Sequence, residues 1–452
     1  MAMFDRFRDS SPGRVALLGL DGVPHSLLTA HPDRFEHVAD IVETGAAAPI
    51  RSVVPPESSA AWASISAGVN PGETGVYGLV DRETASYGTH VTASGDVQVP
   101  RMWDRVTAAD RQATVLNVPA TYPPPRNLQR MVSGFLAPDI ERAVYPEGLA
   151  STLRRLGYVI DVDATLGREG DLEAFLEAAY DTLDARFEAF AHFIDIDDWD
   201  LFVGVFMTPD RVNHFLWDQY LQDGPLRDDF LAFYEQLDTY LGALRARLPD
   251  DVALFLVSDH GFGPLRYEVD ANAWLRQRGW LEYGDSEPAA LADIADGSRA
   301  YSLAPGRFYL NLAGREPRGA VPDEEYEVVR SNLAEELRDW TGPDGDPVVE
   351  EVHLREEHYR GAHLDLAPDL VALSAPGYDL TARFGGDRSV FRQSSRSGTH
   401  RGDDALFAVD RGDVDLDDVG PYDVAPTVLD YLEIEYDLAS FDGASVLLDP
   451  AR

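Results

Sequence analysis

The chain has 452 residues, 44% of them hydrophobic, which is ample for a large core and for more than one domain. Lys+Arg number 38 against Asp+Glu 79, a formal net charge of -41, and every one of those cations is Arg. Such an acid excess excludes nucleic acid or an anionic membrane as the main partner; spread along the whole chain, it fits a halophilic protein kept soluble by salt that screens self-repulsion.

Cys is 0, so disulfides, thiolate ligands and a Cys nucleophile are excluded. Residues 1–14 lack an apolar signal core, and no run approaches the ~18 apolar residues of a membrane span. The expectation is a soluble, cytoplasmic protein.

In chain order, residues 15–20 predict a buried strand closed by Asp21-Gly22. Residues 24–43 have helical character, and residues 50–54 predict another strand. That strand ends at Pro55-Pro56-Glu57-Ser58-Ser59-Ala60-Ala61-Trp62, just before a helical run. Ser58 or Ser59 is then either an N-cap or a hydroxyl nucleophile at a helix N-terminus, where the dipole and free N–H groups favour phosphate. Ala113–Val118 and residues 131–136 predict two more strands, and residues 171–195 and 226–248 two amphipathic helices. Between those helices, a strand over 201–207 runs into Thr208-Pro209, suited to the N-cap and first position of a helix. Asp210 and His214 follow, four apart on one helical face, either as a surface pair or as two ligands of one ion.

The apolar run Val252–Val257 stops at Ser258-Asp259-His260-Gly261. It delivers an Asp and a His to the carboxyl end of a strand, the edge where open α/β sheets bind ligands. After Gly263 the texture changes. A helix over 270–280, an acidic loop over 282–297, a strand over 307–311, a helix over 324–340 and a strand over 348–354 read as an inserted lobe. Residues 368–373 then predict a strand, 394–404 a polar loop carrying His400, Ala405–Val409 a short strand, and 422–432 a closing helix.

The candidates are thus Asp21, Ser58, Asp210, His214, Asp259, His260 and His400. All but Ser58 suit zinc or manganese without sulfur. Two sets of three describe a two-metal hydrolase, in which cations ~4 Å apart hold the attacking and leaving oxygens of displacement at phosphorus.

In this pattern the sequence resembles the alkaline phosphatase superfamily, in its type I phosphodiesterase/nucleotide pyrophosphatase branch. The matching pieces are Gly19-Leu20-Asp21-Gly22, the run from Pro55 through Ser58 and Trp62 to Gly72, Asp210-x-x-x-His214, Ser258-Asp259-His260-Gly261 and Gly398-Thr399-His400. The resemblance implies a mostly parallel α/β sheet with helices on both faces. Residues 1–269 and 367–452 would form the catalytic core, and 270–366 a smaller inserted α/β lobe covering the site. Asp21, Asp259 and His260 would hold one divalent ion, zinc or manganese, and Asp210, His214 and His400 a second. Ser58, beside the first ion, would be the nucleophile and form a phosphoseryl intermediate. The implied substrate is a small phosphodiester or nucleotide-like molecule. Three positions depart from the pattern: Ala60 stands for Pro, Ala61 for a phosphate-binding Asn, and Thr74 for His. The competing readings are a phosphomonoesterase or phosphomutase, and a metal-bound protein without catalysis.

Overall fold

The computed structural model describes residues 13–83, 85–196, 198–284, 289–385 and 389–448. Its centre is an eight-stranded sheet made of β1 (Arg14–Leu20), β2 (Ala46–Ile50), β3 (Ala113–Val118), β4 (Arg130–Ser133), β5 (Val144–Tyr145), β6 (Leu201–Phe206), β7 (Val252–Val257) and β8 (Ala405–Val409). The spatial order is β2-β8-β7-β1-β6-β3-β4-β5. From β7 to β4 neighbours are parallel. β8 runs antiparallel to both β7 and β2, and β5 antiparallel to β4.

The strands read as unbroken apolar runs because both faces are covered. Along β1, Ala16, Leu18 and Leu20 join one core cluster and Val15 and Leu17 the other. The first cluster takes in α2 (Leu172–Ile196), α3 (Thr208–Leu221) and α4 (Arg227–Arg245). The second takes in α1 (Ser58–Ala67) and the helices Met102–Ala108 and Val424–Tyr431. The fold is the expected mixed α/β one, a large and mostly parallel sheet between helices.

Several expectations shift. The helix over 24–43 is two, His25–Ala30 and Glu36–Thr44. Pro32 lies in the break, where it has no N–H to give and biases His31 away from helix. The strand over 50–54 lies earlier, at Ala46–Ile50, where alanines pair with β8; the prolines that follow cannot donate to a ladder. The strand over 131–136 stops at Ser133. The 368–373 strand is Leu370–Ser374, and it pairs with Arg307–Leu310 and Val349–Leu354 in a separate four-stranded sheet, not in the central one. The polar loop over 394–404 contains a strand, Gly398–Arg401, antiparallel to Gly261–Asp270. That pairing sets His400 opposite Phe262, two residues from His260.

Candidate active site

The six ionisable candidates come from the carboxyl edge of the parallel strands or from the Gly398–Arg401 strand beside it, and Ser58 opens α1. β1 ends at Asp21, β6 runs into α3 with Asp210 and His214, and β7 ends at Ser258-Asp259-His260. Gly22 has φ +66, and a Cβ there would lie 3.1 Å from atoms of Asp210, so the turn brings Asp21 and Asp210 together. Gly19 leaves room for the Trp62 ring, since a Cβ would stand 2.4 Å from it.

The six ionisable candidates share one pattern. Each carboxylate has one oxygen tied to an N–H donor. Trp62 Nε1 donates to Asp21 Oδ2 (2.7 Å), the Gly22 amide to Asp259 Oδ1 (3.0 Å) and Arg211 Nη1 to Asp210 Oδ2 (2.7 Å). Arg211 is itself gripped by Asp161 Oδ2 (2.9 Å). Each imidazole presents Nδ1 to a carbonyl: His214 to Gly398 (3.1 Å), His260 to Gly261 (3.1 Å) and His400 to Pro56 (3.3 Å). A carbonyl only accepts, so those Nδ1 atoms carry protons and the Nε2 atoms face inward.

The remaining atoms converge. His260 Nε2 is 3.3 Å from Asp259 Oδ2, and His400 Nε2 is 3.2 Å from Asp210 Oδ1 and 3.1 Å from His214 Nε2. Ser58 Oγ lies 3.3 Å from Asp21 Oδ1 and 3.2 Å from His260 Nε2. The rings of His260 and His400 stack with centroids 3.9 Å apart. Two groups have ligand atoms mutually within 4.8 Å: Asp21, Asp259 and His260; and Asp210, His260 and His400. His260 thus belongs to both, and His214 closes on the second group through Asp210 Oδ1 at 3.5 Å.

The electrostatics fit cations. Asp210 Oδ1 and Asp259 Oδ2 are buried with no hydrogen-bond donor aligned on them. Burial, then the charges of Asp259 and Asp210, push the Asp21 carboxyl well up. Burial, with Asp210 adding, brings Asp259 to about 7. Burial would also raise Asp210, but His214, His400 and Arg211 hold it well down. Burial drops His214 to about 3, and lowers His260 with help from His400. Burial opposes charge on His400 too, yet its contact with Asp210 raises it. Three buried carboxylates and three inward imidazoles with hard N and O donors are a set that divalent ions satisfy.

The structure corrects the helix start. Neither Ser58 nor Ser59 is the N-cap; Glu57 is, its Oε2 accepting from Ser59 N (3.0 Å) and Ala60 N (3.2 Å). Those two amides are therefore not free for phosphate. Ser59 Oγ is buried without a partner. Likewise α3 begins at Thr208, with Met207 at its N-cap. Sequence reasoning missed Glu57, Arg211 and Asp161, and treated Trp62 only as a landmark. Trp62 alone carried a signal, as an indole N–H four residues beyond Ser58 in a run of small residues.

A cleft of about 1260 Å³ is lined by Glu57, His214 and His400 together with residues of the 270–366 segment, such as Leu303 and His353. The described residues contain no helix long and apolar enough to cross a membrane.

This strand-edge cluster on a mostly parallel sheet is a set of candidate metal ligands, in the place where open α/β sheets bind ligands. Residues 15–403 match the model of the type I phosphodiesterase/nucleotide pyrophosphatase family, and the chain belongs to that family, an enzyme acting on phosphoric ester bonds. Solved structures share the fold across nearly the whole chain. Phosphonoacetate hydrolase from Sinorhizobium meliloti 1021, solved with phosphonoformate, is 18% identical, with a TM-score of 0.60 over 93% of this chain and 96% of its own. Murine ectonucleotide pyrophosphatase/phosphodiesterase 5 is 14% identical, with a TM-score of 0.55 over 95% and 97%. The alkaline phosphatase PafA is 14% identical, with a TM-score of 0.58 over 98% and 100%. No curated protein sequence matches the chain.

Proposed function

We propose that this chain hydrolyses small phosphodiesters or pyrophosphates at a two-metal site through a phosphoseryl intermediate. The observation that carries the reading is the shared pattern of the six ligand candidates, each anchored by one atom with the other turned toward the centre, around Ser58 Oγ. Asp21, Asp259 and His260 would hold one ion, and Asp210, His214 and His400 the other. Zinc fits best, and manganese is compatible with the same donors. When bound, the ions supply Lewis-acid polarisation of the phosphoryl oxygens and lower the pKa of coordinated hydroxyls.

Ser58 Oγ then gives up its proton and bonds to phosphorus as the bond to the leaving oxygen breaks; that proton ends on the departing oxygen, an alcohol from a diester or a phosphate from a pyrophosphate. Water next breaks the Oγ–P bond, returning the Ser58 hydroxyl and releasing the phosphomonoester. Trp62, Gly22 and Arg211 fix which carboxylate oxygen faces the centre, and the three carbonyls fix each imidazole tautomer. Residues 1–269 and 367–452 would supply this machinery, while 270–366, with Leu370–Ser374 completing its sheet, would cover the cleft and choose the substrate. The acid excess is that of a halophilic, cytoplasmic enzyme.

The test is Ser58→Ala. Elemental analysis is expected to find two equivalents of metal retained, and turnover of bis-p-nitrophenyl phosphate to fall about a thousandfold or more. Full activity in that variant rejects Ser58 as the nucleophile.

A further inference from the structure

The N-terminus of α1, directly beyond the Ser58 hydroxyl, is a ready-made anion cradle by its backbone geometry. Here it is taken. The Glu57 carboxylate, 9% exposed, accepts from the amides of Ser59 and Ala60 and lies on the wall of the cleft. Ala61, one residue further on, offers no polar atom beyond its backbone. Arg307, the buried cation whose charge acts most on Glu57, is committed to Asp81 and to the carbonyls of Val80 and Ala304. The rest of the wall repeats the theme. Of the three arginines that line it among the described residues, Arg396 is engaged by Glu268 and Asp379 and Arg401 by Glu350 and Asp403, which leaves Arg51.

We propose that Glu57 is a specificity-determining residue, a charge filter that admits phosphate diesters, with one anionic charge, and disfavours monoesters, with two. The proposal rests on the hydrolase reading above. A phosphoryl group on Ser58 presents one side to a carboxylate instead of to amide donors. That side accommodates an ester oxygen better than a second charged oxygen. In general, at an effective dielectric of about 20, two like unit charges ~5 Å apart repel by enough to cost on the order of a hundredfold in affinity.

The test uses the metal-loaded full chain at pH 8.5. Glu57→Gln keeps a carbonyl oxygen to cap the helix and removes the charge. Affinities for inorganic phosphate and dimethyl phosphate are measured by calorimetry, together with kcat/KM for bis-p-nitrophenyl and p-nitrophenyl phosphate. The expected result is a rise of tenfold or more in the phosphate-to-dimethyl-phosphate affinity ratio, and a matching fall in the diester-to-monoester kcat/KM ratio, at unchanged metal content. Ratios that stay within twofold overturn the proposal. Should Glu57→Gln lose metal or fail to fold, Glu57→Asn, neutral and a good N-cap, must give the same shift. If the wild type turns over neither ester while the affinity ratio still rises, the hydrolase reading falls and the charge filter stands. If the wild type turns over its esters and the ratios do not change, the charge filter falls and the hydrolase reading stands.

Discussion

Without a bound cation the fold carries carboxylates it is badly built to ionise, and this gives a sharp thermal test of the proposed metal site. Burial, with Asp210 adding, brings the Asp259 carboxyl from 3.8 to about 7, and burial, then Asp259 and Asp210, raise Asp21. A carboxyl raised in the folded state binds its proton more tightly folded than unfolded. Its contribution to stability is therefore fully present below the unfolded value of 3.8 and lost as pH rises through about 7. At about 1.4 kcal/mol per pH unit, Asp259 alone removes about 4 kcal/mol across that window, about 3 of it between pH 5 and 8. For a chain of 452 residues the unfolding entropy is about 0.95 kcal/mol/K, so this part is worth about 3 °C in Tm. Cations require the ionised ligands. At a hundredfold excess over Kd they return about 2.7 kcal/mol per site, or about 6 °C for two sites, at pH 8 and little at pH 5. The assay is calorimetry of chelator-treated wild type and Asp259→Asn in high salt, with and without zinc. Wild type is expected to lose about 3 °C relative to the variant between pH 5 and 8, and to regain about 6 °C with zinc at pH 8. Parallel shifts in the two proteins, or a Tm at pH 8 that zinc does not move, refute the reasoning.

Two more outcomes follow from other contacts. Trp62→Phe keeps the ring packing but takes the indole donor from Asp21; zinc affinity, read by competition with a chromophoric chelator, is expected to fall roughly tenfold to a hundredfold. Burial pushes the Glu268 carboxyl up, but Arg392, Ser394 and Arg396 bring it down to about 2. A depressed carboxyl stabilises the fold above its unfolded value of 4.5 and loses that contribution as pH falls towards 2. Glu268→Gln is expected to cost about 2 kcal/mol at pH 7 in urea denaturation, with the gap to wild type closing on acidification.

The parallel strands were legible because burial on both faces leaves a plain apolar run, and their carboxyl ends were legible because polarity switches abruptly at Asp21 and at Ser258-Asp259-His260. The seven candidate side chains do come together. What hid was whatever depends on pairing between distant segments. Residues 398–401 look like loop because glycine and polar residues dominate, and only the ladder with Gly261–Asp270 makes them strand. Residues 370–374 look like any buried strand, and nothing local says which sheet receives them. The cap was missed for another reason. Serine is a commoner N-cap than glutamate, so local preference pointed to Ser58 or Ser59, while the extended backbone of Glu57 turns its longer side chain back onto the two amides.

The position of β8 carries a consequence for synthesis. Among the described residues it is the last strand made, yet it sits inside the sheet, joining β2 to β7. Until residues 405–409 leave the ribosome, β7 is an open edge and β2, made some 350 residues earlier, has no neighbour in the sheet. A nascent chain of this enzyme therefore carries β7 as an unsealed, strongly apolar strand while about 150 further residues are made, the condition that invites pairing with the wrong chain. Its abundant carboxylates, a formal net charge of -41, oppose that pairing by keeping such chains apart.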